Sequence, residues 1–172
     1  MALRDILTSA LALLDEGGGQ GLTMRALASR LGVTPMSLYH HVKDRAGLLR
    51  ALSDRVYGEV LEGTGSHLDR QEEVRELLVR YYDAVGKHPQ LTLAIFAEPE
   101  AFAGVSRQIT DRLTALLATF TPEPVLWRDI LIDHAHGSGL ALTSARGDKK
   151  QIGNMREQYQ QALDRLLNLS VS

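Results

Sequence analysis

Apolar residues recur at helical spacing from the start of the chain, with Leu3, Ile6, Leu7, Ala10, Leu11 and Leu14 on one face of a 3.6-residue turn. The glycine cluster Gly17–Gly19 predicts the end of that helix. A short helix over Met24–Leu31 follows, closed by Gly32. Thr34 then stands where an N-cap belongs. Pro35 takes the first helical position, where its missing N–H costs nothing, so a third helix starts there and runs to about His41. Asp44 predicts the cap of a fourth helix, Arg45 to about Leu61, which ends in the turn-forming run Gly63, Thr64, Gly65, Ser66. Further helices are expected at about 69–86, 90–96, 99–119, 123–144 and 150–168, with breaks at Pro89, Pro99, Pro122, Pro124 and Gly147. No stretch shows the strict alternation of a half-buried strand, and no internal repeat is present. The expected class is therefore all-α: an N-terminal three-helix unit joined by a linking helix to a larger helical body. The boundary falls near 45–50, giving domains 1–47 and 48–172.

Composition narrows the function. In 172 residues, 44% hydrophobic, there is ample material for a packed core, and the absence of cysteine removes disulfide scaffolds, thiolate zinc sites and cysteine nucleophiles. The longest apolar runs, such as Ile6–Leu14, are too short to span a bilayer, and no charged-then-apolar leader is seen. No membrane association is expected, and the cytoplasm is the default location. The net charge of −2 is unevenly spread. Residues 1–50 hold six basic groups (Arg4, Arg25, Arg30, Lys43, Arg45, Arg50) against four acidic ones (Asp5, Asp15, Glu16, Asp44), while the remainder is acidic. A mildly basic head on an acidic body suits a DNA-reading module attached to something that stays off DNA.

Residues 22–45 read LTMRALASRLGVTPMSLYHHVKDR, and most positions have a physical task. Leu27, Ala28 and Leu31 give the first helix of the pair an apolar inner face. Gly32 can take the left-handed conformation that turns the chain within a few residues, and Val33 can plug the corner. The second helix turns Pro35, Met36, Ser37 and His40 outward and Leu38 and Val42 inward, so its amino end can enter a major groove. This is the pattern of a helix-turn-helix.

The stretch from Ile6 to Leu52 resembles the DNA-binding domain of the tetracycline-repressor (TetR) family. The likeness rests on the helix-ending glycines, Leu22-Thr23, Ala28, Leu31-Gly32-Val33, and Leu38-Tyr39 followed by Val42-Lys43. The rest of the chain resembles the family only in being helical. The resemblance implies that Arg25, Pro35, Met36, Ser37 and His40 meet base edges. Arg25 offers its fork to guanine, and Pro35 and Met36 offer apolar contact to a thymine methyl. It implies phosphate contacts from Thr23, Thr34, Tyr39, His41, Lys43 and Arg45, which set register without reading sequence. Arg25 could instead be a solvated helix residue, and Tyr39 a core aromatic with an exposed hydroxyl. Family members usually begin with a basic arm, and here the sequence opens Met1-Ala2-Leu3-Arg4 with Arg4 as its one basic residue, so arm contacts to phosphate should be few.

One helix-turn-helix touches too few base pairs to be selective, so a homodimer on an inverted-repeat operator is expected. The resemblance implies that its face comes from helices 123–144 and 150–168. Leu126, Ile130, Asp133, Gly137 and Leu140 form one stripe there, and Met155, Tyr159, Ala162, Leu163, Leu166 and Leu167 form the other. Both stripes could instead be intramolecular core. A repressor released by a small-molecule effector would enclose a pocket within 69–119. Candidates are Tyr81, Tyr82, His88, Phe96, Phe102 and Trp127, with His134 as a polar partner, although core is the commoner fate of such aromatics. A DNA-binding protein without an effector pocket is the alternative.

No cofactor or metal is expected. His67, His88, His134 and His136 contain no i, i+4 pair, and the adjacent His40 and His41 point in different directions. Enzyme chemistry is not expected either, since Asp133, His134 and Ser138 lack a Gly-x-Ser-x-Gly elbow, a phosphate loop or a metal motif around them.

Overall fold

In the computed structural model, which describes residues 1–63 and 69–172, every regular element is helical. The elements are α1 (Leu3–Gly21), α2 (Met24–Leu31), α3 (Pro35–Tyr39), α4 (Arg45–Glu62), α5 (Arg70–Lys87), α6 (Pro89–Phe96), α7 (Val105–Leu117), α8 (Pro124–Ala141) and α9 (Lys149–Ser170). Short 3₁₀ turns occupy Pro99–Ala101 and Leu142–Ala145. The all-α expectation holds for the described residues. The expected turn residues Thr64, Gly65 and Ser66, and His67, lie outside them.

The glycine cluster breaks the first helix as expected: Gly18 adopts φ 65° and ψ −168°, and a further short helical piece carries α1 to Gly21. Two expected boundaries need correction. The single helix expected at 99–119 is two pieces separated by Phe102–Gly104, and the Asp54 carboxylate accepts the Val105 N–H at 3.0 Å at the new start. The helix expected to run to 144 leaves α-geometry after Ala141 and tightens into the second 3₁₀ turn.

The chain gathers into two compact units, residues 1–56 with 90–106, and residues 57–89 with 107–172. The first is built on Ile6, Leu7, Ala10 and Leu14 of α1, with Leu22, Leu27, Ala28, Leu38, Leu48, Leu49 and Leu52, all buried. Each such leucine contributes roughly 1.5–3 kcal/mol on leaving water. Polar links hold segment 90–106 within this unit: Ser53 to Ser106 at 2.8 Å, and Arg50 to the Glu100 carbonyl at 3.2 Å.

The second unit centres on α5 against α8. Gly139 lets the two helices approach, since a Cβ there would lie 2.7 Å from Val85 Cγ1. On α5, buried Glu73 receives Arg70 and Arg112, each at 2.9 Å. Arg75 pairs with Asp164 of α9 at 2.6 Å, and the Tyr159 hydroxyl donates to the Leu78 carbonyl at 3.2 Å. Tyr82 stacks on Tyr159 with ring centres 4.1 Å apart.

Candidate nucleic-acid interface

The helix-turn-helix is framed by its caps. Thr23 accepts the Ala26 N–H at 3.0 Å and so starts α2. At the other end Gly32 sits at φ 66°, ψ 32°, the left-handed closure that Leu-Gly-Val suggested. The Val33 N–H then reaches the Ala28 carbonyl at 3.0 Å. Thr34 caps α3 by accepting the Ser37 N–H at 3.3 Å, and its hydroxyl meets that of Ser37 at 3.0 Å. Pro35 follows at the first helical position. Asp44 accepts the Gly47 N–H at 2.7 Å and begins α4.

These caps hold a short α3 whose two sides differ sharply. Leu38 is fully buried and Val42, just past the helix, nearly so. Pro35, Met36, Tyr39, His40 and His41 are exposed, and Ser37 is half-exposed. Met36 is 67% exposed, a large apolar side chain held in water next to a helix amino end. Arg25 on α2 and Lys43 after α3 are exposed as well, and neither has an ion-pair partner among the described residues. A cationic and apolar surface of this kind can meet phosphate and base edges together.

Arg45 differs from the other ten residues named from sequence. Its Nε donates to the Leu22 carbonyl at 3.2 Å, one terminal nitrogen to the Gly19 carbonyl at 2.7 Å, and the other to Glu98 at 2.9 Å. Three of its five donors are thus spent bracing the turn between α1 and α2. Glu98 was not found by sequence reasoning. A partner 53 positions away leaves no periodic signal. Arg30 forms a similar tie, a two-bond fork to Glu16 at 2.7 and 2.9 Å that joins α2 to α1.

The residues named for an effector pocket are distributed over both units. Phe96 and Phe102 belong to the first and are exposed. In the second, the Tyr81 hydroxyl is hydrogen-bonded to His136 Nε2, and burial pushes the phenol far up from its usual range. His134 stacks on Tyr159 at 5.0 Å, with its Nδ1 buried and unpartnered among the described residues. Burial lowers the pKa of both His134 and His136. Trp127 and His88 are half-buried. Of the seven, Tyr82 lines a cavity of about 480 Å³.

The two stripes expected at a dimer face separate. On α8, Leu126, Ile130, Asp133 and Gly137 are exposed, whereas Leu131, Ala135 and Gly139 turn inward. On α9 the expectation needs correction: Tyr159, Leu163 and Leu167 are buried within the protomer, because they form the helix's inner stripe. Met155, Ala162 and Leu166 are half-exposed.

Among the described residues no helix is long and apolar enough to cross a membrane. Residues 6–52 match the model of bacterial regulatory proteins of the tetR family. The tetracycline repressor protein class A from transposon 1721 of Escherichia coli is 44% identical over 54 residues, 31% of this chain and 25% of that protein. The chain spans about a quarter of the length of the tetracycline repressors it matches. Its fold is similar to that of BioQ bound to its double-stranded DNA operator (TM-score 0.78, 23% identity, covering 100% of this chain and 99% of that one). It is also similar to a TetR variant from Acinetobacter baumannii AYE in complex with minocycline (TM-score 0.74, 23% identity, 100% and 99% covered). Residues 6–52 thus carry the sequence likeness to the tetR family of bacterial regulatory proteins, and the whole chain shares the fold of these solved structures.

Proposed function

We propose that the protein is a sequence-specific DNA-binding transcriptional regulator, a homodimeric repressor that reads an inverted-repeat operator and is released by a small-molecule effector. The observation that carries the reading is α3: a capped, rigid helix that buries Leu38 while holding Pro35, Met36 and His40 in water. Residues 1–47 read DNA and residues 48–172 dimerise and bind the effector. Arg25, Pro35, Met36, Ser37 and His40 face bases, and Thr23, Thr34, Tyr39, His41 and Lys43 face phosphates. Arg45 acts chiefly by holding the α1–α2 turn.

The exposed α8 face of Leu126 and Ile130 supports a two-fold partner, since side chains four apart on a helix share one face. The operator complex of BioQ and the minocycline complex of the Acinetobacter protein support the DNA and effector halves by analogy of fold. Selection of bound DNA from a random pool tests the proposal. The expected product is a two-fold motif with half-sites about one helical turn, or a multiple of it, apart. A pool with no enriched motif would overturn it.

A further inference from the structure

The second unit contains a cavity that only Tyr82 of the aromatic candidates lines. It has a volume of about 480 Å³, within the range of small-molecule sites, and Tyr82, Asp83, Lys87, Leu142, Ile152 and Arg156 are in its wall. Leu142 and Ile152 supply apolar surface. The charged groups are two cations and one carboxylate, and that carboxylate is already engaged: Arg156 grips Asp83 through two 2.8 Å bonds. The grip uses Nε and one terminal nitrogen, which leaves the other terminal nitrogen, with its two donors, for an incoming group. Lys87 is exposed and has no ion-pair partner among the described residues.

Tyr82 supplies an independent sign of a missing partner. It is 1% exposed, yet its hydroxyl makes no hydrogen bond among the described residues, a rare and costly condition for a buried polar group. Burial raises its pKa, the charge of Asp83 adds to the rise, and Arg156 opposes it. The hydroxyl therefore lies within electrostatic reach of both charged walls. Gly147 also borders the cavity, and the chain on either side of it, Arg146 to Lys150, carries three exposed cations. Asp148 in that run is occupied in capping α9, accepting the Lys150 and Gln151 N–H groups at 2.9 and 3.1 Å.

We propose that this cavity, formed by α5, the Leu142–Ala145 turn and α9, binds a small amphipathic carboxylate. Lys87 and the free edge of Arg156 hold the carboxylate, the Tyr82 hydroxyl donates to it, and Leu142 and Ile152 cover the apolar tail. A cationic ligand is disfavoured because Asp83, the wall's acid, is already neutralised. The inference rests on the effector reading above for its regulatory consequence, but not for binding itself.

Calorimetric titration of the full chain with octanoate, octan-1-ol and octylammonium tests it. Octanoate is expected to bind saturably at one site per chain, octan-1-ol at least about tenfold more weakly for want of charge-assisted bonds, and octylammonium not at all. Lys87→Ala should weaken octanoate about tenfold. Tyr82→Phe should weaken it several-fold while holding or raising the melting midpoint, since it removes an unpaired buried group. Ile152→Trp should fill the cavity and abolish binding. Equal affinity for octanoate and octan-1-ol, or octanoate binding indifferent to both Lys87→Ala and Ile152→Trp, would overturn the site. Failure of octanoate to bind while selected operator DNA is still bound would sink this inference alone. Octanoate binding without any operator would leave the site standing and sink the regulator reading.

Discussion

Replacing Gly32 by alanine isolates the conformational cost of the turn in the helix-turn-helix. At φ 66° and ψ 32° the residue lies in the left-handed region, and a Cβ built there meets no atom within 4 Å. Steric clash therefore contributes nothing. What remains is the intrinsic cost of that conformation for an L-residue, roughly 1–2 kcal/mol, offset by roughly 0.4–1 kcal/mol of lost freedom in the unfolded chain. The net destabilisation should be about 1 kcal/mol. Gly32→Asn should cost less, because a short polar side chain tolerates the left-handed region. Gly139→Ala is the contrasting case. Its backbone conformation is unremarkable, but its Cβ would press on Val85 Cγ1 at 2.7 Å and the Tyr82 carbonyl at 3.2 Å, and overpacking of that kind costs roughly 1–3 kcal/mol. Urea unfolding of the three variants, followed by circular dichroism, measures the differences. Equal losses for Gly32→Ala and Gly32→Asn, or a loss above about 3 kcal/mol for alanine, would refute a purely conformational role for Gly32.

Three other outcomes follow from the second unit. Glu73→Ala strips Arg70 and Arg112 of their shared buried carboxylate. Both arginines are about half exposed and can turn to water, so the loss in urea unfolding should be roughly 1–3 kcal/mol, below that of a fully buried pair. His134 and His136 have pKa values lowered by burial, for His136 against an opposing effect of Asp133, so the unfolded chain binds more protons than the folded one just below pH 6.5. Their contribution is complete above about pH 6.5 and is lost as pH falls through the lowered values, with a slope of at most about 1.4 kcal/mol per pH unit for each. Thermal melts between pH 7 and 5.5 should show it, and a midpoint that rises on acidification would contradict it. Ile130→Asp on the exposed α8 face should weaken self-association at least about 100-fold, from roughly 1.5 kcal/mol lost in each copy. Sedimentation at micromolar concentration reads the change, and an unaltered dimer would place the interface elsewhere.

The sequence was most legible where local chemistry decides structure. Thr23, Thr34-Pro35 and Asp44 each announced a helix start, and Leu31-Gly32-Val33 announced the turn, because caps and left-handed closures are set by adjacent residues. It was least legible where distant groups meet. Arg45 was read as a phosphate contact from its place in the motif, but its bonds to Gly19, Leu22 and Glu98 depend on tertiary approach. The aromatic residues named for a pocket went partly into stacks, Tyr82 and His134 on Tyr159, since size and polarity do not say which neighbour a ring will find. The cavity wall from Leu142 to Arg156 had one local sign, the break at Gly147, which marks the end of a helix and says nothing of the space beside it.

The most direct test of DNA reading by this helix-turn-helix compares Arg25→Ala and Lys43→Ala on the selected operator and on its single-base variants, over a range of salt. Arg25→Ala should flatten the preference at one position of each half-site, by roughly 1–3 kcal/mol, and leave other positions discriminated. Lys43→Ala should weaken all sequences alike and reduce the salt slope by about one. Uniform, salt-dependent weakening from both substitutions, or no effect from either, would contradict the assignment of base reading to this face.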